Sequence, residues 1–190
     1  SDIVGGAVIG TDAAVHEQLA WWANCLGLTG APFDSFLTMR GLRTLDVRLR
    51  QHQENTAAIV DQLQAHPAVA KVHYPGLSDH PGHAVAARQQ DGFGAMLSFE
   101  LAGGEAAVRR LLEGLELFSL AESLGGVESL IAHPATMTHA AMTPEARATA
   151  GIGAGLLRVS VGIEHIDDLA AELAAGLDRA GTATKEQRAA

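Results

Sequence analysis

The chain is poor in cysteine and has no long apolar run. Its one cysteine, Cys25, excludes an intrachain disulfide framework and a cysteine-based zinc ribbon, and this usage is typical of a reducing compartment. No apolar stretch approaches the length of a membrane span, and Ser1-Asp2 followed by Gly5-Gly6 is not the basic start of a signal peptide. We therefore expect a cytoplasmic protein without a membrane partner.

Positive charge is also scarce. Lys and Arg together number 13 against 22 Asp and Glu, which gives a formal net charge of −9. This balance argues against sequence-independent binding to nucleic acid and against docking on an acidic membrane surface, because both need neutralisation of phosphate. The 190 residues are 47% hydrophobic and 18% charged, so the composition predicts a globular chain with a substantial core rather than a disordered one.

Common catalytic motifs are absent as well. The chain contains no Walker loop, no GxGxxG after a strand, no CxxC, no HExxH and no GxSxG. Among the nine histidines, His80 and His83 flank Pro81-Gly82 in a loop, and no carboxylate is placed to complete a zinc site. We interpret the histidines as structural or surface residues and predict no metal, which leaves a metal-dependent hydrolase as a distant alternative.

The first third of the chain is predicted to hold one strand and two helices. The unbroken apolar stretch Ile3–Gly10 is typical of a strand buried on both faces, and a helix is predicted after Asp12. A long helical pattern then runs from about 35 to 66. That length favours a break near the polar residues 51–55, where we place the domain boundary.

The rest of the chain alternates between short strands and amphipathic helices. Strands are predicted at 69–74, 95–101, 115–120 and 156–161, and helices at 84–90, 105–112 and from Ile166. The last helix carries the apolar stripe Ile166, Leu169, Leu173 and Leu177. The pattern predicts an α+β layer with a mainly antiparallel sheet covered on one face. Residues 182–190 are predicted to be a polar tail.

Two features of this region suggest binding chemistry. Arg158 shares a strand face with Leu156 and Ser160, and its planar guanidinium is suited to binding a carboxylate. An arginine on the solvent-exposed face of a sheet fits the same pattern. The loop at 121–130 contains Gly125-Gly126, which lets backbone amides approach a ligand closely. A simple connecting turn is the alternative interpretation of this loop.

Read together, three segments resemble the Cys/Met-metabolism family of enzymes that depend on pyridoxal phosphate. They are Ala121–Leu130, the stretch His133-Pro134-Ala135-Thr136-Met137-Thr138-His139-Ala140, and Leu157–Gly162. Met39–Leu45, Tyr74–Leu77 and Gly92–Met96 fit the same family. The resemblance implies an α/β enzyme of the fold type I transferase class with pyridoxal 5'-phosphate as cofactor. It further implies that residues 1–53 are the end of the large cofactor domain and that residues 54–181 form a small α+β C-terminal domain with an antiparallel sheet.

The resemblance also implies roles for four residues. Arg158 matches the arginine that binds the substrate α-carboxylate, Ser123 lies beside it, and Glu122 and Thr138 line the pocket for the substrate side chain. The lysine that forms the Schiff base with the cofactor is expected upstream of Ser1, so no catalytic residue is predicted within this chain. The two lysines present, Lys71 and Lys185, lie in other contexts, and the chain alone is predicted to be inactive.

The chemistry implied by the resemblance is trans-sulfuration, as part of methionine or cysteine metabolism. The favoured reaction replaces the γ-substituent of O-succinyl- or O-acetylhomoserine with cysteine to give cystathionine. Cleavage of cystathionine to cysteine, 2-oxobutanoate and ammonia, or a methionine γ-elimination, is the alternative. A homotetramer is expected, with amino-acid substrates and with the N-terminal half of the enzyme as partner. A non-catalytic oligomerisation domain, favoured by the apolar start and Trp21-Trp22, is the alternative from another class.

Overall fold

The computed structural model describes residues 2–182 in full and residues 183–189 in backbone only. The chain divides into two compact units, the first ending at Val47 and the second beginning at Arg48. The helices are α1 (Ala13–Leu26), α2 (Pro32–Leu42), α3 (Leu45–Ala65), α4 (His83–Gln89), α5 (Gly104–Leu112), α6 (Pro144–Thr149) and α7 (Ile166–Ala189). The strands are β1 (Val69–His73), β2 (Met96–Leu101), β3 (Ser119–Leu120), β4 (Leu130–Ala132) and β5 (Leu156–Ser160).

The first unit is built from α1, α2 and the stretch that precedes them. Helix α1 begins after Asp12, whose carboxylate accepts a 2.9 Å hydrogen bond from the Val15 N–H, as expected of an N-cap. It ends at Gly27, which adopts the left-handed conformation at φ 68°. Pro32 opens α2 at a position where its missing N–H costs nothing. Neither helix has a buried residue.

The predicted strand at Ile3–Gly10 is wrong. These residues form no strand, and Val4 and Ile9 are 98% and 94% exposed. A strand requires a neighbour to receive its backbone hydrogen bonds, and the five strands of the described residues all lie beyond Pro67. The apolar composition of the stretch was therefore not sufficient to define its conformation.

The predicted break in the long helical stretch lies in a different place. Helix α2 ends at Leu42 and α3 begins at Leu45, because the chain makes a tight turn in which the Thr44 N–H bonds to the Gly41 carbonyl at 3.3 Å. The polar residues 51–55 belong to an unbroken part of α3. The assignment of residues 1–53 to a cofactor domain stays a prediction.

The second unit contains one five-stranded sheet in the order β1-β2-β5-β4-β3. Every pairing is antiparallel except that of β3 with β4, so the prediction of a mainly antiparallel sheet is confirmed. Strand β4 and helix α6 were not predicted. Strand β4 has only three residues, all of them buried, and so it carries no alternating pattern for the sequence to reveal.

One face of the sheet packs against helices. Phe99 and Leu157 are fully buried there and belong to one core cluster with residues of three helices. They include Ile59 and Leu63 of α3, Val108 and Leu111 of α5, and Leu169, Leu173 and Leu177 of α7. The predicted stripe of the closing helix is thus confirmed. Helix α7 continues past Gly181 to Ala189, although the side chains of most of the predicted polar tail lie outside the described residues.

Among the described residues, no helix is both long enough and apolar enough to cross a membrane.

Candidate functional site

Arg158 lies in the middle of the sheet. Strand β5 alternates, with Leu157 and Val159 buried in the core and Arg158 on the opposite face. In register with Arg158 are Ser98 on β2 and Ala132 on β4. A central strand with neighbours on both sides holds the backbone of this arginine firmly, so its guanidinium projects from a rigid base.

The guanidinium of Arg158 is held by a loop that we call the glycine loop, residues 121–129. Its Nη2 donates hydrogen bonds to the carbonyl oxygens of Glu122 at 2.7 Å and Ser123 at 2.9 Å. Its Nε is buried and has no hydrogen-bond partner among the described residues. Within the same part of the chain, no carboxylate forms an ion pair with this arginine.

This arrangement is suited to an anionic group. Because Nη2 uses its N–H groups on the two carbonyls, an incoming carboxylate would accept hydrogen bonds from the remaining part of the guanidinium. Because the Nη2 bonds to two backbone carbonyls fix the plane of the guanidinium, an incoming carboxylate would meet a donor set of defined orientation.

The middle of the glycine loop is hydrogen-bonded to β5. The Gly125 N–H donates a 2.9 Å hydrogen bond to Oγ of Ser160, which is 2% exposed and lies two residues after Arg158. Gly125 has φ 77°, a conformation that residues with a Cβ rarely adopt, and this explains the glycine at this position.

A second set of hydrogen bonds holds the C-terminal end of the loop. The Glu164 carboxylate accepts hydrogen bonds from the Ser129 N–H at 2.6 Å and from the Ser129 hydroxyl at 2.9 Å. The Ile163 N–H donates to the Val127 carbonyl at 2.9 Å. A Cβ on Gly162 would lie 2.5 Å from that carbonyl oxygen, so only glycine permits this approach.

The four residues predicted for the site do not all meet. Arg158 contacts the backbone of Glu122 and Ser123, whereas the side chains of those two residues are exposed. The Thr138 hydroxyl instead bonds to Nδ1 of its neighbour His139 at 2.7 Å, and among the described residues no hydrogen bond joins it to the other three.

The buried histidines have structural partners. Nδ1 of His133 lies 2.8 Å from the Thr136 hydroxyl, and its Nε2 lies 3.1 Å from the Ala154 carbonyl. Over the described part of the chain, no three His, Cys, Asp or Glu side chains gather in a way that could hold a metal ion.

The residues that hold the glycine loop in place were not predicted from the sequence. Alternation in β5 did place Ser160 on the face of Arg158, but the pattern gave no sign that a loop would cover it. His52 and Asn55, buried polar residues at helical spacing on α3, were a further signal, since such residues need partners. Those partners are backbone carbonyls at 161–164, more than one hundred residues away.

The five-stranded sheet and the helices that cover one of its faces form an α/β fold that is consistent with the C-terminal part of a fold type I enzyme. The chain belongs to the Cys/Met metabolism PLP-dependent enzyme family, whose model matches residues 1–178. This match confirms the predicted family, the fold class and the dependence of that family on pyridoxal phosphate.

Individual relatives carry several related activities. The chain is 60% identical over 176 residues to cystathionine gamma-synthase from Escherichia coli (strain K12), covering 93% of this chain and 46% of that protein. It is 49% identical over 178 residues to cystathionine beta-lyase from Coxiella burnetii, with coverage of 93% and 46%. The chain therefore spans about half the length of the curated relatives it matches.

A solved structure shows the same similarity in three dimensions. The structure of cystathionine gamma synthase from Xanthomonas oryzae pv. oryzae in complex with aminoacrylate and cysteine superposes with a TM-score of 0.85 at 69% sequence identity. It matches 90% of this chain and 44% of that one.

Neither lysine of the chain is predicted to bond to the cofactor, and only one of the two has a described side chain. Lys71 is exposed on β1, and the side chain of Lys185 lies outside the described residues. No hydrogen bond or ion pair of the described residues connects Lys71 with Arg158 or with the glycine loop.

Proposed function

We propose that the chain is the C-terminal part of a pyridoxal-phosphate enzyme with cystathionine γ-synthase activity, which replaces the γ-substituent of an activated homoserine with cysteine. The single observation that carries the proposal is Arg158, whose buried Nε lacks a partner among the described residues and whose Nη2 is held by two carbonyls. Identities of 60% and 69% to named γ-synthases support the choice of reaction.

In this proposal the residues of the chain bind and orient the substrate. Arg158 binds the α-carboxylate, Ser123 lies beside it, and Glu122 and Thr138 line the pocket for the substrate side chain. When bound, pyridoxal phosphate supplies the electron sink for charge that develops at Cα. Arg158 moves no proton; holding the carboxylate fixes the position of Cα, which is an orientation effect.

The proposal extends to partners. The N-terminal half of the enzyme would supply the lysine that bonds to the cofactor, and the whole enzyme would assemble as a homotetramer. The chain alone is then inactive, because the lysine that bonds to the cofactor would belong to the N-terminal half. The single cysteine, Cys25, supports the predicted cytoplasmic location.

The deciding experiment compares two reactions of the full-length enzyme. One assay supplies O-succinylhomoserine with cysteine, repeated with O-acetylhomoserine, and the other supplies cystathionine alone. We expect kcat/KM for cystathionine formation to exceed that for cystathionine cleavage. A larger kcat/KM for cleavage would contradict the γ-synthase proposal, and loss of both reactions would contradict trans-sulfuration altogether.

Cystathionine γ-lyase activity is the second candidate. It is favoured by 46% identity to the cystathionine gamma-lyase of Dictyostelium discoideum over 94% of this chain. The carboxylate site around Arg158 would serve either reaction, because both substrates are α-amino acids. The same pair of assays separates the two candidates.

A further inference from the structure

We propose that Ser160 and Glu164 are positioning residues for Arg158, which hold the glycine loop so that its carbonyls orient the guanidinium toward the substrate carboxylate; this inference rests on the carboxylate role of Arg158 proposed above. Neither residue accepts a hydrogen bond from Arg158 among the described contacts. Each acts on the loop that carries the two carbonyl acceptors, one at the middle of the loop and one at its end.

Ser160 acts at the middle. Its hydroxyl accepts the Gly125 N–H at 2.9 Å, two residues beyond the Ser123 carbonyl that accepts from Arg158. Since Ser160 and Arg158 belong to the same face of the same strand, this bond fixes the loop against the strand that bears the arginine. With Ser160 only 2% exposed, water would not replace the lost acceptor at low cost.

Glu164 acts at the end of the loop. Both of its carboxylate oxygens are used by Ser129, which is fully buried, and the Ser129 hydroxyl in turn accepts the Gly162 N–H at 2.8 Å. Ser129 is therefore joined to the chain both before and after Ile163. Hydrogen bonds to an ionised carboxylate are about twice as strong as neutral ones.

Helix α3 supports the Glu164 side of this arrangement. The Asn55 amide donates to the carbonyls of Gly162 at 3.0 Å and Glu164 at 2.9 Å. Nδ1 of His52 donates to the Val161 carbonyl at 2.6 Å. His52 and Asn55 are 5% and 1% exposed, so the segment after β5 is fixed by buried bonds to a helix of the core.

These hydrogen bonds form a continuous network from α3 to Arg158. The helix holds residues 161–164, Glu164 and Ser160 hold the glycine loop, and the loop holds Nη2 of Arg158. If the loop shifts, the guanidinium loses its two carbonyl acceptors and rotates among its rotamers. The carboxylate would then meet an arginine that is present but poorly oriented.

The test measures binding that depends on the carboxylate, in the full-length enzyme loaded with cofactor. L-norleucine is an α-amino acid without a γ leaving group, and 1-aminopentane is the same molecule without its carboxylate. The dissociation constant of 1-aminopentane divided by that of norleucine, both determined by calorimetry, isolates the contribution of the carboxylate. We compare Ser160→Ala, Glu164→Gln and Arg158→Ala with the wild type, and Ser119→Ala, an exposed serine on β3, is the matched control.

We expect Ser160→Ala and Glu164→Gln each to reduce this ratio by about 10-fold, with the affinity for 1-aminopentane unchanged. Ser160→Thr, which retains the hydroxyl, should recover most of the ratio, and Ser119→Ala should leave it unchanged. A purely structural role would lower the melting temperature without changing the ratio. Glu164→Gln provides an independent result where Ser160→Ala yields no folded protein.

Arg158→Ala separates the two claims. If it abolishes the preference for norleucine while Ser160→Ala and Glu164→Gln retain the wild-type ratio, the positioning inference is overturned and the carboxylate role of Arg158 stands. If Arg158→Ala itself retains the ratio, the carboxylate role fails and the positioning inference fails with it.

Discussion

The two units of the chain use similar residues in opposite ways. Before Val47, large apolar side chains such as Trp21, Trp22 and Phe36 are more than half exposed, and neither helix buries a residue. After Arg48, residues of the same character form one continuous core between a sheet and three helices. Apolar composition therefore does not by itself determine burial. The second unit has layers that can cover each other, and the first has two helices and an exposed stretch.

The same contrast applies to function. The described residues of the second unit hold a charged side chain in a fixed plane through backbone carbonyls. This requires a rigid sheet beneath Arg158 and a loop fastened at two points. The first unit offers neither feature within its own described residues.

The largest difference in the free energy of unfolding is expected between the alanine variants of two phenylalanines. Phe99 is fully buried, and Phe99→Ala in the 190-residue chain should lower the free energy of unfolding by about 3–5 kcal/mol. Phe36 is 57% exposed, and Phe36→Ala should change it by less than about 0.5 kcal/mol. Urea unfolding followed by circular dichroism measures both. An equal loss in both variants would contradict the exposed placement of Phe36.

A smaller effect is expected from two glycines. Gly162→Ala would bring a Cβ within 2.5 Å of the Val127 carbonyl oxygen and should cost about 1–3 kcal/mol of unfolding free energy. Gly6→Ala, with nothing within 4 Å, should be neutral to within about 0.5 kcal/mol. Thermal melts of the two variants check this pair, and a neutral Gly162→Ala would argue against the close approach of loop and strand end.

The first unit should be sensitive to a helix cap. Asp12→Ala removes the acceptor of the Val15 N–H and should destabilise α1 by about 1 kcal/mol, while Asp12→Asn keeps an acceptor and should cost less. Trp21 and Trp22, the two tryptophans of the chain, both lie on α1, so their fluorescence reports on this helix. If the fluorescence of Asp12→Ala changes on heating at the same temperature as that of the wild type, α1 does not depend on its cap.

The smallest expected effect on stability comes from the ionisation of the one tyrosine, Tyr74, which lies in the second unit. Burial raises the pKa of its phenol, whose hydroxyl donates to the Gly94 carbonyl at 3.0 Å. The folded pKa then exceeds the unfolded value of about 10. The resulting stability is complete below that pH and is lost as the pH rises through the folded pKa.

Ultraviolet titration of Tyr74 should accordingly give a midpoint above the ordinary value. Tyr74→Phe should remove the alkaline decrease in stability. An ordinary midpoint would mean that the phenol is solvated and that this edge of the second unit is less well packed than its core.

The second unit was predictable from sequence because its elements carry alternation or helical periodicity. The burial of Leu97, Phe99 and Leu101, and the stripe on α7, followed directly from spacing. Strand β4 was not predictable, since three consecutive buried residues resemble many other short segments. The stretch 3–10 was mistaken for a strand because sequence periodicity records apolarity and cannot show whether a neighbouring strand exists.

The site was predictable only in part for a similar reason. Arg158 and the glycine loop are recognisable locally, but the contacts that join them connect residues about 35 positions apart in the chain. The bonds from His52 and Asn55 to residues 161–164 span still longer separations. Such partners follow from the packing of α3 beside the end of β5, which local pattern does not contain.

The central claim is that Arg158 binds the substrate carboxylate, and one kinetic comparison tests it most directly. In the full-length enzyme, Arg158→Ala should raise KM for the activated homoserine by about 100-fold, corresponding to the loss of charge-assisted hydrogen bonds, with the cofactor absorbance unchanged. Arg109→Ala, an exposed arginine paired with Glu105 on α5, is the matched control and should leave KM unchanged. An unchanged KM in Arg158→Ala would contradict the account.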